Sequence, residues 1–114
     1  MADADTVILI NRNGIGEADP VLQLRLVGTY LKLLDENNIL PGAICLYTEG
    51  VHLAVDGSPV LEVLQSLEKK GVRLILCSTC LNYYNLAERV KVGIIGGMGD
   101  IIEVQRLAAK VITL

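Results

Sequence analysis

The sequence predicts a single α/β domain, residues 1–114, in which a mostly parallel sheet of about five strands is covered by helices. Short aliphatic runs alternate with longer segments of helical period, the pattern of successive strand–helix–strand units. Asp19-Pro20 and Ser58-Pro59 punctuate the chain where helices should begin, because Asp or Ser can cap a helix and Pro needs no amide hydrogen in its first turn. The length of 114 residues suits one core and no internal domain boundary.

The first strand is Thr6 to Ile10. It runs into Asn-Arg-Asn-Gly-Ile-Gly, residues 11–16, and then a helix from Pro20 to about Asn37. On that helix Leu24, Val27, Leu31 and Leu34 form one apolar stripe, and Leu22, Leu26, Tyr30 and Leu33 form a second beside it. The pattern fits either one wide core face or a core face plus a face for a neighbouring subunit. Pro41-Gly42 leads into a second strand, Ala43 to Thr48, and Glu49 to Gly57 reads as a loop with a short helical turn. The next helix starts at Ser58-Pro59 and ends at Gly71, with Val60, Leu61, Val63, Leu64 and Leu67 inward. A third strand, Val72 to Leu76, delivers the chain to Cys77. A helix from Thr79 to Arg89 follows, then a strand from Val90 to Ile95. The glycine-rich Gly96-Gly97-Met98-Gly99, a helix from Asp100 to Ala109 and a last strand, Val111 to Leu114, complete the chain.

Composition narrows the functional classes. The chain is 52% hydrophobic with a mean hydropathy of +0.49, yet its aliphatic stretches are too short to span a bilayer. That much apolar surface on a small globule predicts burial between copies, hence a homo-oligomer. Net charge is −3 and the longest basic run is Lys69-Lys70, so the charge needed to bind a phosphate backbone is missing and no nucleic-acid partner is expected. MADADTVILI lacks the features of an export signal, and three cysteines, an odd number, fit a reducing compartment. The expected location is the cytoplasm.

In parallel sheets, ligands bind beyond the carboxyl ends of the strands. That edge should gather Asn11 to Gly16, Glu49 to Gly57, Cys77 to Cys80 and Gly96 to Gly99. Within CSTCLNYYNL, residues 77–86, Cys77 leaves a strand just before a helix, where unpaired amides favour a thiolate. Ser78 and Thr79 supply nearby hydroxyls, and Cys80 is spaced to attack a disulfide or persulfide on Cys77. Spacing alone leaves reactive chemistry and buried structural thiols evenly matched. A closed zinc site would need Cys45 and His52 to complete it, and Cys45 sits mid-strand as a small core residue, so no metal is expected. His52 could donate a proton, or simply sit in solvent as a loop histidine. Gly14 and Gly16 could present amides to an anion, but GIGEAD lacks the third glycine of a dinucleotide fingerprint, and no cofactor is expected. Tyr83 and Tyr84 read as packing residues.

Taken together, the strand followed by CSTCLNYY, the upstream EGVHLAVDGSPVLEVLQSLEKKGV and the opening VILINRNGIG resemble the DsrE/DsrF-like family. Within it they are similar to the YedF-like branch, which is described as sulfurtransferase-like and linked to selenium metabolism. The resemblance covers nearly the whole chain and is most specific from Gly50 through Tyr84. It implies a Rossmann-like three-layer fold, homotrimers or homohexamers, and a cysteine that carries sulfur as a persulfide between donor and acceptor proteins. By position the family's reactive cysteine corresponds to Cys77, and Cys80 to the second cysteine of the YedF-like motif. Asn11, Gly14 and Gly16 match that branch's first turn, and Gly57, Ser58 and Pro59 its helix entry.

Two departures stand out. The small sulfur-carrier domain usual at the amino terminus of YedF-like proteins is absent from this sequence, and with it the donor in cis. Gly96-Gly97-Met98-Gly99 also replaces the branch's Thr/Ser-Asn-Met-Tyr segment. Beside the sulfur carrier stand two other expectations. One is a dithiol redox protein or sensor using Cys77-Cys80; the chain has no tryptophan and lacks the thioredoxin motif. The other is a non-catalytic oligomeric module that binds a small anion or a partner through its glycine loops.

Overall fold

The computed structural model describes residues 3–114; Met1 and Ala2, the first positions of MADADTVILI, lie outside the described residues. Five strands, β1 (Thr6–Ile10), β2 (Ala43–Leu46), β3 (Arg73–Cys77), β4 (Ile94–Gly96) and β5 (Lys110–Thr113), alternate with four helices. These are α1 (Pro20–Glu36), α2 (Leu61–Lys69), α3 (Ser78–Tyr83) and α4 (Met98–Leu107). The strands form one wholly parallel sheet in the order β4-β3-β2-β1-β5. The chain winds one way from β1 to β4 and then returns past β1 to β5. Because parallel crossovers are right-handed, that reversal moves the crossover helix to the opposite face. Helices α1 and α2 accordingly cover one face and α4 the other, giving three layers.

Side chains alternate across the sheet as the pleat requires. Ile8, Ile10, Ile44, Leu46, Leu74 and Leu76 point into the larger core with Val27, Leu31, Leu64 and Leu67 of α1 and α2. Val7, Leu9, Ala43, Cys45, Ile75 and Cys77 point the other way, toward Ile101 of α4. The third layer is thin, since one ten-residue helix serves the second face. Ile94, Ile95, Met98, Ile102, Leu107 and Val111 remain exposed around it. On α1 the stripe Val27, Leu31 and Leu34 is buried, whereas Leu22, Leu26 and Leu33 face solvent, so the helix has a core face and a separate apolar surface. Among the described residues, no helix is long and apolar enough to cross a membrane.

Capping explains where the helices start and stop. Asp19 Oδ1 accepts from the Val21 N–H at 2.8 Å, with Pro20 at the first helical position, as the sequence predicts. Helix α2 begins at Leu61 rather than at Ser58. Ser58 Oγ accepts from the Val60 N–H at 3.2 Å, so Ser58-Pro59 forms the turn before the helix.

The expected helix from Thr79 to Arg89 is two pieces, α3 and a 3-10 turn over Ala87–Arg89. The break is a Schellman stop: Asn85 takes φ +57°, Leu86 N–H donates to Leu81 O at 2.8 Å, and the two leucines are both buried. Further along, Gly93 at φ +86° ends the run Val90-Lys91-Val92, so β4 starts at Ile94 instead of Val90. Val90 makes only an isolated antiparallel bridge to Val55. Helix α4 starts two residues before the expected Asp100, whose carboxylate instead reaches back to accept from the Gly97 N–H at 2.9 Å.

An ion pair ties α1 to α2. Lys70 Nζ lies 3.0 Å from Asp35 Oδ1, and Ser66 Oγ donates to the same oxygen at 2.9 Å. The Lys70 hydrogen bond, then Ser66, hold the Asp35 carboxyl below its ordinary value. Because the folded value is the lower one, the pair stabilises the fold above the unfolded carboxylate pKa of about 4, and that contribution fades as pH falls through the folded value. Asp35→Asn should destabilise the fold at pH 7 by about 1 kcal/mol or less, since the Lys70 end of the pair is open to solvent, and the difference from wild type should shrink below pH ~4 in thermal melts.

Candidate functional site

Cys77 is the last residue of β3 and the N-cap of α3, at φ −68° and ψ 118°. The pleat turns its side chain to the α4 side of the sheet, where it is 2% exposed among Ile75, Cys45 and Ile101. In register, Cys77 pairs with Gly96, so the turn between β4 and α4 lies directly beside it. A Cβ at Gly96 would stand 2.9 Å from Asp100 Oδ2 and 3.1 Å from Ile75 Cγ2, so the glycine lets that turn close over the strand end. Cys80, one turn on, is partly exposed and packs against both cores. Burial pushes the Cys80 thiol up; the backbone amide of Thr48 pulls it down, and the adjacent Cys77 thiol adds to the rise. Both cysteines are free thiols, and Cys80 packs against the cluster that holds Cys77.

Thr48 is the site residue that no motif or spacing singles out. The sequence predicts it as the end of the second strand, but β2 stops at Leu46 and Thr48 opens a 3-10 segment, Thr48–Ala54, with φ +46°. A β-branched residue in the left-handed region is an outlier costing about 1–3 kcal/mol, and such strain concentrates at functional sites. Here it aims the Thr48 N–H at Cys80 Sγ, 3.0 Å away. The Thr48 hydroxyl is 2.6 Å from Asn11 O, at the end of β1, and 2.8 Å from Tyr47 O. Gly50 makes this approach possible, since a Cβ there would lie 2.1 Å from Ile10 O. Asn11 itself carries a second oddity: its Oδ1 is shielded from solvent and has no hydrogen-bond partner among the described residues. A buried acceptor left so costs about 1–3 kcal/mol, which also marks this strand edge as built for something besides stability.

Other expected site residues separate into those near this cluster and those engaged elsewhere. Ser78 and Thr79 form the first turn of α3, Ser78 half-buried and Thr79 exposed. His52 is a half-buried residue of the 3-10 segment whose ring packs on Tyr84, centroids 4.7 Å apart. It borders an open groove of about 430 Å³ with Tyr84, Asn13 and the Asp56–Arg89 ion pair. Tyr83 is not a packing residue: it is 80% exposed, with its ring edge-to-face with that of Tyr84 at a centroid distance of 5.2 Å.

Gly14 and Gly16, at φ +138° and +77°, form a turn that packs on α1. Ile15 N–H donates to Gln23 O at 3.1 Å, and Gln23 Nε2 donates to Gly16 O, so the amide inside the Gly-Ile-Gly turn is already taken. Cys45 is fully buried in mid-strand, and burial pushes its thiol up to about 11, making it inert. Among the described residues, no cluster of three or more His, Cys, Asp and Glu side chains is close enough to hold a metal ion.

Two free thiols at a strand–helix junction, one buried and one held by a backbone amide, can accept, pass on and release a sulfur atom, or close into a disulfide. Comparison with solved structures shows the fold. The ychN protein from E. coli superposes with a TM-score of 0.70 at 20% identity, covering 96% of this chain and 97% of that one. MTH1491 from Methanobacterium thermoautotrophicum, a protein of unknown function, gives 0.67 at 20% identity, with the same 96% and 97% coverage. BT1422 from Bacteroides thetaiotaomicron, also of unknown function, gives 0.69 at 13% identity, with 100% and 98% covered. No curated protein matches the chain. A family profile described as "DsrE/DsrF-like family" matches residues 14–114, a span that holds both thiols, the strained Thr48 and four of the five strands, and on that match the chain belongs to the DsrE/DsrF-like family.

Proposed function

We propose that the protein carries sulfane sulfur as a persulfide on Cys77 and passes it between partner proteins. The observation that carries this reading is the paired thiols at the carboxyl edge of the sheet, with the family membership behind it. Loading is a simple exchange. A thiolate of the pair attacks the outer sulfur of a donor persulfide, a new sulfur–sulfur bond forms on it, the donor leaves as a thiolate, and the sulfur comes to rest on Cys77. Offloading is the same exchange onto an acceptor thiolate, so no external oxidant or reductant enters. The partners are donor and acceptor proteins, and the setting is the cytoplasm, where thiols stay reduced. The C-x-x-C and its flanks favour the YedF-like branch within the family. Incubating the reduced protein with a persulfide donor should add the mass of one sulfur atom to the peptide containing Cys77. A peptide that stays at its unmodified mass sinks the carrier reading.

The nearness of Cys77 and Cys80 favours a second reading, a dithiol redox protein or sensor cycling through a disulfide. A reduction potential near that of the glutathione pool, with no added sulfur, would select it. We also place the protein in a homotrimer or homohexamer. Support comes from the unpartnered Leu22, Leu26 and Leu33 on α1 and from Ile95, Met98, Ile102 and Leu107 around α4. Sedimentation at micromolar concentration should show a species several times the 12.3 kDa chain mass, and a monomer there counts against it.

A further inference from the structure

The two thiols are not equivalent in access. Cys77 is 2% exposed behind the β4–α4 turn, whereas Cys80 is partly open to solvent. A donor arriving from outside therefore meets Cys80 first. Cys80 is also the thiol with a dedicated donor, the Thr48 N–H at 3.0 Å. That amide points at the sulfur only because Thr48 holds φ +46°, and the hydrogen bond from its hydroxyl to Asn11 O at 2.6 Å ties that conformation to the end of β1. Strain of this kind persists only where surrounding bonds over-determine it.

We propose that Cys80 is the entry thiol of the relay and that Thr48 is its positioning residue, locking a backbone amide onto the Cys80 sulfur so that sulfur is received there and handed inward to Cys77. The proposal rests on the sulfur-carrier reading and assigns its order of events. In the first step the Cys80 thiolate attacks the outer sulfur of the donor persulfide, and the donor leaves as a thiolate. The product is a Cys80 persulfide whose outer sulfur keeps the donor's proton. In the second step Cys77 takes that outer sulfur, its thiol proton passes to the departing Cys80 sulfur, and a Cys77 persulfide remains. Sulfur, protons and charge balance in both steps, and neither thiol is oxidised to a disulfide. The titratable groups facing Cys80 are Cys77 on its own turn, Tyr84 on the next and Tyr47 before Thr48 on the facing segment, with Glu49 acting on Tyr84. None of these is a cation, which leaves the Thr48 amide as the group here that favours a sulfur anion.

Two measurements on the full chain test this. In rapid-quench loading with a low-molecular-weight persulfide, peptide mass spectrometry should find added sulfur on Cys80 before Cys77. Cys80→Ser should slow loading of Cys77 about tenfold or more, and Cys77→Ser should leave the sulfur stranded on Cys80. Loading of Cys77 at an unchanged rate in Cys80→Ser overturns the order.

The second measurement is the pH profile of Cys80 alkylation in a Cys77→Ala background, which needs no persulfide at all. Thr48→Ala should move its midpoint up by about one unit, a tenfold loss of thiolate at fixed pH, and Thr48→Ser, which keeps the hydroxyl, should restore it. A merely structural Thr48 would change the melting temperature and leave the midpoint in place, which overturns its positioning role. If the wild type takes up no sulfur anywhere, the carrier reading itself fails, and the alkylation profile still decides what Thr48 does to Cys80.

Discussion

Cys77→Ser should abolish delivery of sulfur from a loaded protein to an acceptor thiol, a loss on the order of 10³-fold or more, as when a nucleophile is removed from a site that works by covalent transfer. Serine keeps the size of the side chain but cannot hold a sulfane sulfur. Because position 77 is 2% exposed among Ile75, Cys45 and Ile101, its hydroxyl also enters an apolar pocket at a cost of about 1–3 kcal/mol. Cys77→Ala separates the two effects, since alanine leaves no polar atom there. Both variants should fail to deliver sulfur to an acceptor thiol, and alanine should melt closer to wild type. A serine variant that still delivers sulfur at the wild-type rate would remove Cys77 from the chemistry.

Gly50→Ala should be the most damaging single-methyl change near the site. The added Cβ would lie 2.1 Å from Ile10 O and 2.9 Å from Ile10 C, both rigid backbone atoms at the end of a central strand. Relief requires the 3-10 segment to move off β1, which breaks the bond from Tyr47 N–H to Ile10 O at 3.1 Å and draws Thr48 away from Cys80. The loss should reach about 3 kcal/mol, the range of backbone overlap in a packed interior. For a domain of this size that is a fall in melting temperature on the order of 10 °C. The same variant should show Cys80 alkylation moving to higher pH, because the amide that stabilises its anion has been displaced. A melting temperature within a degree or two of wild type would mean that the segment can shift freely.

The sheet was legible because its code is local. Runs such as Thr6–Ile10 and Arg73–Cys77 are apolar along their length, and Asp19-Pro20 caps a helix from two adjacent residues. Even the stop of α3 at Asn85 has a readable ingredient, an asparagine able to adopt the left-handed conformation, but Asn82 lies close by in the same helix and does not stop it. Which asparagine ends the helix depends on Leu86 finding Leu81 in the core, a contact that only packing decides. The sequence predicts the 3-10 segment as a loop with a helical turn but not its exact course, because its shape is set by the close approach of Gly50 to β1.

Residue spacing, caps and periodicity within a few positions were enough for the α/β class, the order of strands and helices and the placement of a thiol pair at a strand end. Packing settled that Cys77 is buried while Cys80 is partly exposed, that the two stripes of α1 are separate faces, that α4 lies alone on the second face, and that Thr48 is strained to point its amide at Cys80 across 32 residues of chain. One cause underlies all of these. Pleat direction, crossover handedness and a backbone-to-sulfur hydrogen bond join segments distant in sequence, and the free energy that fixes them comes from contacts that no single segment contains.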